Sequence, residues 1–313
     1  MPVWPRASSL PARLAAATLP ALAAAVLAGC GTAVTAAAPA PGKLQVVAAE
    51  NFWGSIAAQL GGTKVAVSSI IVNPDTDPHS YEPTASDAAT LARSQMAIVN
   101  GIGYDRWASQ LLSANSSSSR VTLNVGDVLG LKEGDNPHRW YSPMNVHRVI
   151  AQIVADYQRL DPKDGAYFEG QRAAFEARAL GQYEQLIVTI RRRFGGVPVG
   201  YSESIFEPLG QALDLHLLTP YSFAKAIAEG TEVTAQDKQT VDGQARQREI
   251  KVWIYNSQNV TPDVQRVTEI VRAQHIPIAT VTETLSPPSD GFEQWQVGEL
   301  KGLIAALREA TGR

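Results

Sequence analysis

Leu44-Gln45-Val46-Val47-Ala48-Ala49 has one polar residue in six and reads as a strand buried on both faces. Residues 52–60 follow as a helix stopped by Gly61-Gly62, and residues 64–72 as a second strand. Thr84, Ser86 and Asp87 are capping residues that open a helix over 84–94. A third strand covers 96–99 and ends at Asn100-Gly101, and a fourth covers 120–125. Strands alternating with helices in this rhythm predict a parallel sheet covered by helices, the α/β class.

Further along, Val146, Val149, Ile150, Ile153, Val154 and Tyr157 recur at helical spacing within residues 143–160, and Asp161-Pro162 ends the run. Residues 163–194 contain no proline and are rich in Ala, Glu, Gln and Arg. As one helix they would extend ~48 Å, longer than a single lobe is wide, so a rigid strut is expected. After Gly195-Gly196 the rhythm restarts. Strands are expected at 197–201, 251–255 and 277–281, and helices at 205–213, 261–274 and 293–307. The expected division is an N-terminal lobe at 43–162, a linking helix at 163–194 and a C-terminal lobe at 195–313.

Ahead of the first strand, Arg6 and Arg13 precede or open an apolar run that closes at Val26-Leu27-Ala28-Gly29-Cys30. Cys30 is the single cysteine of the 313-residue chain. The stretch resembles a bacterial lipoprotein signal. That resemblance implies removal of residues 1–29, lipidation of Cys30 and a cell-membrane anchor on the extracytoplasmic side. A plain secretory leader with an incidental cysteine is the alternative. Residues 31–42 are Ala, Thr, Val, Pro and Gly without periodicity and read as a flexible tether. Beyond Cys30 no apolar run reaches the ~20 residues of a membrane span.

Composition narrows the partners. Hydrophobic residues make up 45% and charged residues 18%, the proportions of a globular protein. With 27 basic and 30 acidic residues and no basic stripe, nucleic acid is excluded as a partner. The mild acidic excess suits a cation ligand. A lone cysteine permits no internal disulfide, so packing must supply the stability. A monomer is expected.

Two of the five histidines sit in loops of a matching kind. His79 lies in Asn73-Pro74-Asp75-Thr76-Asp77-Pro78-His79-Ser80-Tyr81-Glu82-Pro83, directly after a strand. His138 lies in Asp135-Asn136-Pro137-His138-Arg139-Trp140. A proline before each histidine restricts the backbone that carries the imidazole. Open α/β sheets bind ligands at strand ends of this kind. A solvated loop histidine is the plain alternative for each.

Residues 77–84, Asp-Pro-His-Ser-Tyr-Glu-Pro-Thr, resemble the first ligand loop of the metal-binding solute receptors of bacterial ABC importers, the TroA, PsaA and ZnuA-like family. Asn136-Pro137-His138-Arg139-Trp140 with Ser142-Pro143 resembles their second loop. The match covers nearly all of the chain after Cys30. It implies two α/β lobes, each a four-stranded mainly parallel sheet with flanking helices, joined by one long rigid helix. It also implies a transition-metal ion held between them. By this resemblance the ligands are His79, His138, Glu203 after the first strand of the second lobe, and Glu283 after its last strand. The family usually has Asp at the fourth position, and Asp290 is the reserve candidate there. Glu203 and the absence of a His-rich loop at 132–135 lean toward manganese, although affinity order favours zinc at most such sites.

The resemblance further implies that the chain is not an enzyme, that Zn2+ or Mn2+ is its transported ligand, and that a permease is its partner. An extracellular zinc hydrolase is the alternative if Glu283 is not a ligand, and a surface adhesin is another. Around the centre, Glu82 is expected to orient His79 or to cap a helix, and Trp140 to shield the metal from water. His147, His216 and His275 are expected to lie outside the site, and Trp53, Trp107, Trp253 and Trp295 in the core.

Overall fold

The first strand, β1 (Leu44–Glu50), is central because both of its edges are paired. The computed structural model describes residues 42–313; Cys30, the leader and all of the tether but Gly42 lie outside the described residues. β1 is flanked by β2 (Val65–Ile71) and β3 (Met96–Val99), and β4 (Val121–Asn124) completes a sheet of order β2-β1-β3-β4. Val46 pairs with Val67 on one side and Met96 on the other, all in parallel. Parallel neighbours need crossovers, which here are helical. α1 (Asn51–Gly61) joins β1 to β2, and α2 (Ala85–Ala92) joins β2 to β3. α3 (Arg106–Ala114) joins β3 to β4, and α4 (Val125–Leu129) leaves β4. Thr84 caps α2 in a reciprocal pair with Asp87, an arrangement that contributes about 1 kcal/mol.

α5 (Pro143–Leu160) buries the apolar stripe expected from its spacing. The linking segment follows a 3-10 turn at Pro162–Asp164. It comprises α6 (Gly165–Ala174), a π turn at Phe175–Ala179 and α7 (Gly181–Phe194). The Leu180 N–H donates to the Phe175 carbonyl at 3.0 Å, five residues back, so one wide turn interrupts the regular helix.

The second sheet has order β6-β5-β7-β8, again all parallel. Its members are β5 (Pro198–Tyr201), β6 (His216–Leu217), β7 (Val252–Asn256) and β8 (Ile278–Val281). α8 (Glu207–Ala212), α9 (Tyr221–Ala228), α10 (Ala235–Arg246) and α11 (Pro262–Ala273) connect them, and α12 (Phe292–Thr311) closes the chain. The two sheets share the strand order that places the first strand second from an edge, without a detectable sequence repeat.

One apolar core runs through both halves. It includes Val46, Trp53, Ile98 and Trp140 from the first, Tyr183 and Phe194 from the linking segment, and Val199, Ile254, Trp295 and Leu307 from the second. A smaller cluster around Phe223, Trp253 and Val264 seats α9, α10 and α11. Trp107 is buried in a third cluster with Val99 and Ile71. His216 is exposed on the short edge strand β6, and His275 is exposed with φ +54° at the end of α11.

Candidate metal centre

Every chemistry-bearing residue of the centre follows the carboxyl end of a strand. The loop after β2 carries His79, the segment after β4 and α4 carries His138, and the ends of β5 and β8 carry Glu203 and Glu283. Ligand atoms of His79, His138 and Glu283 lie within 4.8 Å of one another. His138 Nε2 stands 3.6 Å from Glu283 Oε1. Glu203 joins through Asn256, whose Nδ2 donates to Glu203 Oε1 at 3.1 Å and to Glu283 Oε1 at 3.2 Å. Three of the four side chains, His79, His138 and Glu283, thus bring ligand atoms to one point between the halves, and Glu203 lies outside that group, bridged to Glu283 through Asn256. Asp290 lies outside the group and donates its backbone N–H to the Pro287 carbonyl.

His138 is fully buried and rigidly oriented. Its Nδ1 is 2.9 Å from Asn136 Oδ1, which fixes the tautomer that donates from Nδ1 and leaves the Nε2 lone pair toward the centre. Asn136 is itself held from the second half, because its Nδ2 donates to the Ser204 carbonyl at 2.8 Å and to Glu207 Oε2 at 2.9 Å. His138 Nε2 and Glu203 Oε2 are buried and make no hydrogen bond. Orphaned buried polar atoms are costly unless a further group pairs with them.

His79 is exposed at the rim. Its backbone N–H donates to Asp77 Oδ1 at 2.9 Å, and Ser80 Oγ donates to Asp77 Oδ2, which closes the turn. Glu82 does not take the orienting role expected of it. It is exposed and makes no hydrogen bond to His79, while Thr84 and Asp87 do the capping of α2.

Trp140 lies beneath the imidazoles, stacked on Phe52 at 4.0 Å between ring centres and edge-on to His138 at 5.3 Å. Tyr104, like Asn256, is a residue that sequence reasoning missed. Its hydroxyl donates to Glu283 Oε2 at 2.7 Å, and its ring meets His79 edge-on at 4.5 Å. It is delivered by a backbone of unusual shape, in which Gly101, Ile102 and Gly103 have φ of +69°, +61° and +85°. A β-branched residue at positive φ is strained and persists only where its surroundings impose it. Here Asp105 accepts the Asn100 and Gly101 N–H groups, each at 2.7 Å, and pins the loop. The Asn-Gly-Ile-Gly run after β3 was the available signal. His147 is not at the centre; its ring contacts Glu184 at 2.9 Å and tethers α5 to α7.

The electrostatics separate the two carboxylates. Burial, reinforced by the charge of Glu283, pushes Glu203 well above the usual carboxylate range. Burial also acts to raise Glu283, but the charge of the His138 and His79 rings when protonated, with hydrogen bonds from His138 and Glu203, outweighs it and holds the group at about 2. Ionising both of two adjacent buried carboxylates is costly, and of the two Glu203 is the one pushed toward the protonated form. Desolvation lowers His79, which favours the neutral, ligating imidazole.

Two clefts of about 450 and 410 Å³ open on either side of His79. His79, Ala228 and Glu229 form the wall between them. Two imidazoles and the Glu283 carboxylate bring three donors of the kind a divalent transition ion takes within 4.8 Å of one another.

The family model of the zinc-uptake complex component A, a periplasmic protein, matches residues 46–306. The chain belongs to this family, whose members are components of uptake complexes and not enzymes. Among curated relatives, the manganese-binding lipoprotein MntA of Halalkalibacterium halodurans is 29% identical over 52% of this chain and 54% of its own. That alignment spans about half the length of the relative. The metal ABC transporter substrate-binding lipoprotein FimA of Streptococcus parasanguinis is 25% identical over 80% of this chain and 84% of its own. Among solved structures, the Cd-bound periplasmic metal-binding protein of Candidatus Liberibacter asiaticus superposes with a TM-score of 0.71, at 19% identity, over 85% of this chain and all of the other. The fold shared with it is the α/β architecture described above.

Proposed function

We propose that this protein is an extracytoplasmic receptor that captures a divalent transition metal, Zn2+ or Mn2+, between its halves and delivers it to the permease of an ABC importer. His79, His138, Glu203 and Glu283 are the ligands in this reading. Residues 1–29 form the leader, Cys30 carries the lipid anchor and residues 31–42 the tether, so that the folded part from residue 43 works at the membrane surface as a monomer. The relatives named as metal ABC transporter substrate-binding lipoproteins support the anchor and the importer.

The observation that carries the reading is that His138 Nε2 and Glu203 Oε2 are each buried without a hydrogen bond, the first 3.6 Å from Glu283 and the second on a carboxylate bridged to Glu283 by Asn256. A cation supplies the partner that each lacks. Four protein donors saturate a tetrahedral ion and leave no position for an activated water, which favours a receptor over a hydrolase. Calcium and magnesium prefer all-oxygen shells and are poorly served by two imidazoles.

The test is Glu283→Ala followed by zinc and manganese calorimetry. A receptor loses tight binding with this substitution. A metallohydrolase with His79, His138 and Glu203 as its ligands keeps its metal, and that result sinks the receptor reading.

A further inference from the structure

The two halves meet at a second polar cluster, behind the centre. Tyr141 follows the His138 turn, and its hydroxyl lies 2.9 Å from the carbonyl oxygen of Thr282, the residue before Glu283. The same hydroxyl lies 2.7 Å from Glu299 Oε2 on α12. Glu299 Oε1 accepts the Thr282 backbone N–H at 2.9 Å and stands 3.1 Å from Thr282 Oγ1. The Thr282 hydroxyl donates to the Thr284 carbonyl at 2.9 Å and accepts from the Trp295 indole N–H at 2.8 Å.

Counting protons decides the state of this cluster. Tyr141 has one hydroxyl proton and two oxygens at hydrogen-bond distance. If Glu299 were ionised, the proton would go to one of them and leave lone pairs opposed at under 3 Å at the other. A proton on Glu299 Oε2 removes the conflict. The carboxylic acid then donates to the Tyr141 oxygen, and Tyr141 donates to the Thr282 carbonyl. Both Tyr141 contacts become hydrogen bonds.

The surroundings agree. The groups bonded to Glu299 are the neutral Tyr141 and Thr282, with the Trp295 indole adjacent. Phe206, Leu209, Ile254, Ala279, Val281 and Leu303 form the apolar wall beside it. Glu283, the charged group nearby on the Thr282 loop, is itself an acid. Burial pushes Glu299 up to about 8.

We propose that Glu299 is a neutral carboxylic acid that fixes the Glu283 loop and locks it to the His138 loop, making it a positioning residue for cation capture. The proposal rests on the receptor reading for its functional part. Glu299 touches neither the ion nor a ligand side chain. It acts through Thr282 and Tyr141, which carry the geometry to Glu283 and His138 on opposite halves. A half-buried acid that must stay protonated costs stability, and a device that registers two loops to each other gives a reason for its presence.

The test uses the protein from residue 31 onward and its Glu299→Gln, Glu299→Ala and Tyr141→Phe variants. Gln reproduces the neutral acid, because its amide N–H donates to Tyr141 and its oxygen accepts from Thr282. Glu299→Gln should keep zinc affinity within about threefold, while Glu299→Ala and Tyr141→Phe should each lose about tenfold or more. Zinc affinity of the wild type should weaken between about pH 7 and 9 relative to the Gln variant as the acid ionises. Gln binding as weakly as Ala, or superimposable pH profiles, would overturn the proposal. Infrared difference spectra of wild type against Glu299→Gln at neutral pH should show the C=O stretch of a protonated carboxyl, and its absence would also overturn it. The same band followed in the wild type alone from about pH 7 to 9 should fade, which covers a variant that fails to fold. The infrared measurement needs no cation. A protein that shows the band but binds no zinc keeps its neutral Glu299 and loses the receptor reading instead.

Discussion

The two histidine loops, residues 73–83 and 135–142, look alike in sequence and differ in what holds them. His138 is completely buried, its tautomer set by Asn136, which the second half grips through Ser204 and Glu207. His79 is exposed, and its loop is held by its own Asp77 turn. A Pro-His pair stiffens the backbone in both loops, but rigidity of the imidazole comes from burial and a second hydrogen bond. In the receptor reading the difference divides the labour: the His138 side is built before the cation arrives, and His79 serves as the adjustable ligand at the mouth between the two clefts.

The strongest way to break that contrast is to remove each imidazole. His138→Ala and His79→Ala should both abolish tight zinc binding in calorimetry. Urea denaturation of the cation-free proteins should separate them. His138→Ala should lose about 1–3 kcal/mol because it opens a buried cavity, while His79→Ala should stay within about 0.5 kcal/mol. Equal losses would mean that His79 is as integral to the fold as His138.

A smaller effect is expected from the supports. Asn136→Ala frees the His138 tautomer and should weaken zinc binding by about 10–100-fold, the usual cost of losing a partner that orients a ligand. Asp77→Ala should cost less than about tenfold, since the rim loop can re-form around the ion. The reverse order would place the rigid part of the site at the rim.

Protons give the finest distinction. Glu203 retains a proton in the cation-free protein because burial and Glu283 raise it. A ligating carboxylate must be ionised, so capture should expel about one proton per cation near neutral pH and affinity should rise with pH. Calorimetry in buffers of different ionisation heat measures this release. Zero release would show both carboxylates charged before the ion arrives. At the acid end His79 sets the limit. Desolvation lowers it, so the folded protein binds fewer protons there than the unfolded chain, and stability is lost as the pH falls below the ordinary imidazole value, about 6.5. Zinc affinity should fall in the same range as protons compete for the imidazoles.

Much of this was legible in the sequence. Alternation of apolar runs and amphipathic helices marked seven of the eight strands, because buried parallel strands and one-sided helices leave periodic signatures. The exceptions are instructive. β6 is two residues long, too short for a pattern, and the polar α10 presents little apolar face. α3 and α9 also went unread within loops rich in Ser, Gly and Asn or opened by Pro. The linking helix was visible from its lack of proline, but the π turn at Phe175–Ala179 has no residue that marks it.

The sequence by itself determined the α/β class, the two halves and the loops that carry His79 and His138, since those follow from local propensity and spacing. The tertiary structure decided that Glu283 and not Asp290 joins the imidazoles, that Tyr104 and Asn256 hold the carboxylates, and that Glu299 faces Tyr141 across the halves. Those choices depend on strand ends of two separate sheets meeting at one place. No local run of residues encodes such a meeting; the shared core that packs the halves together does.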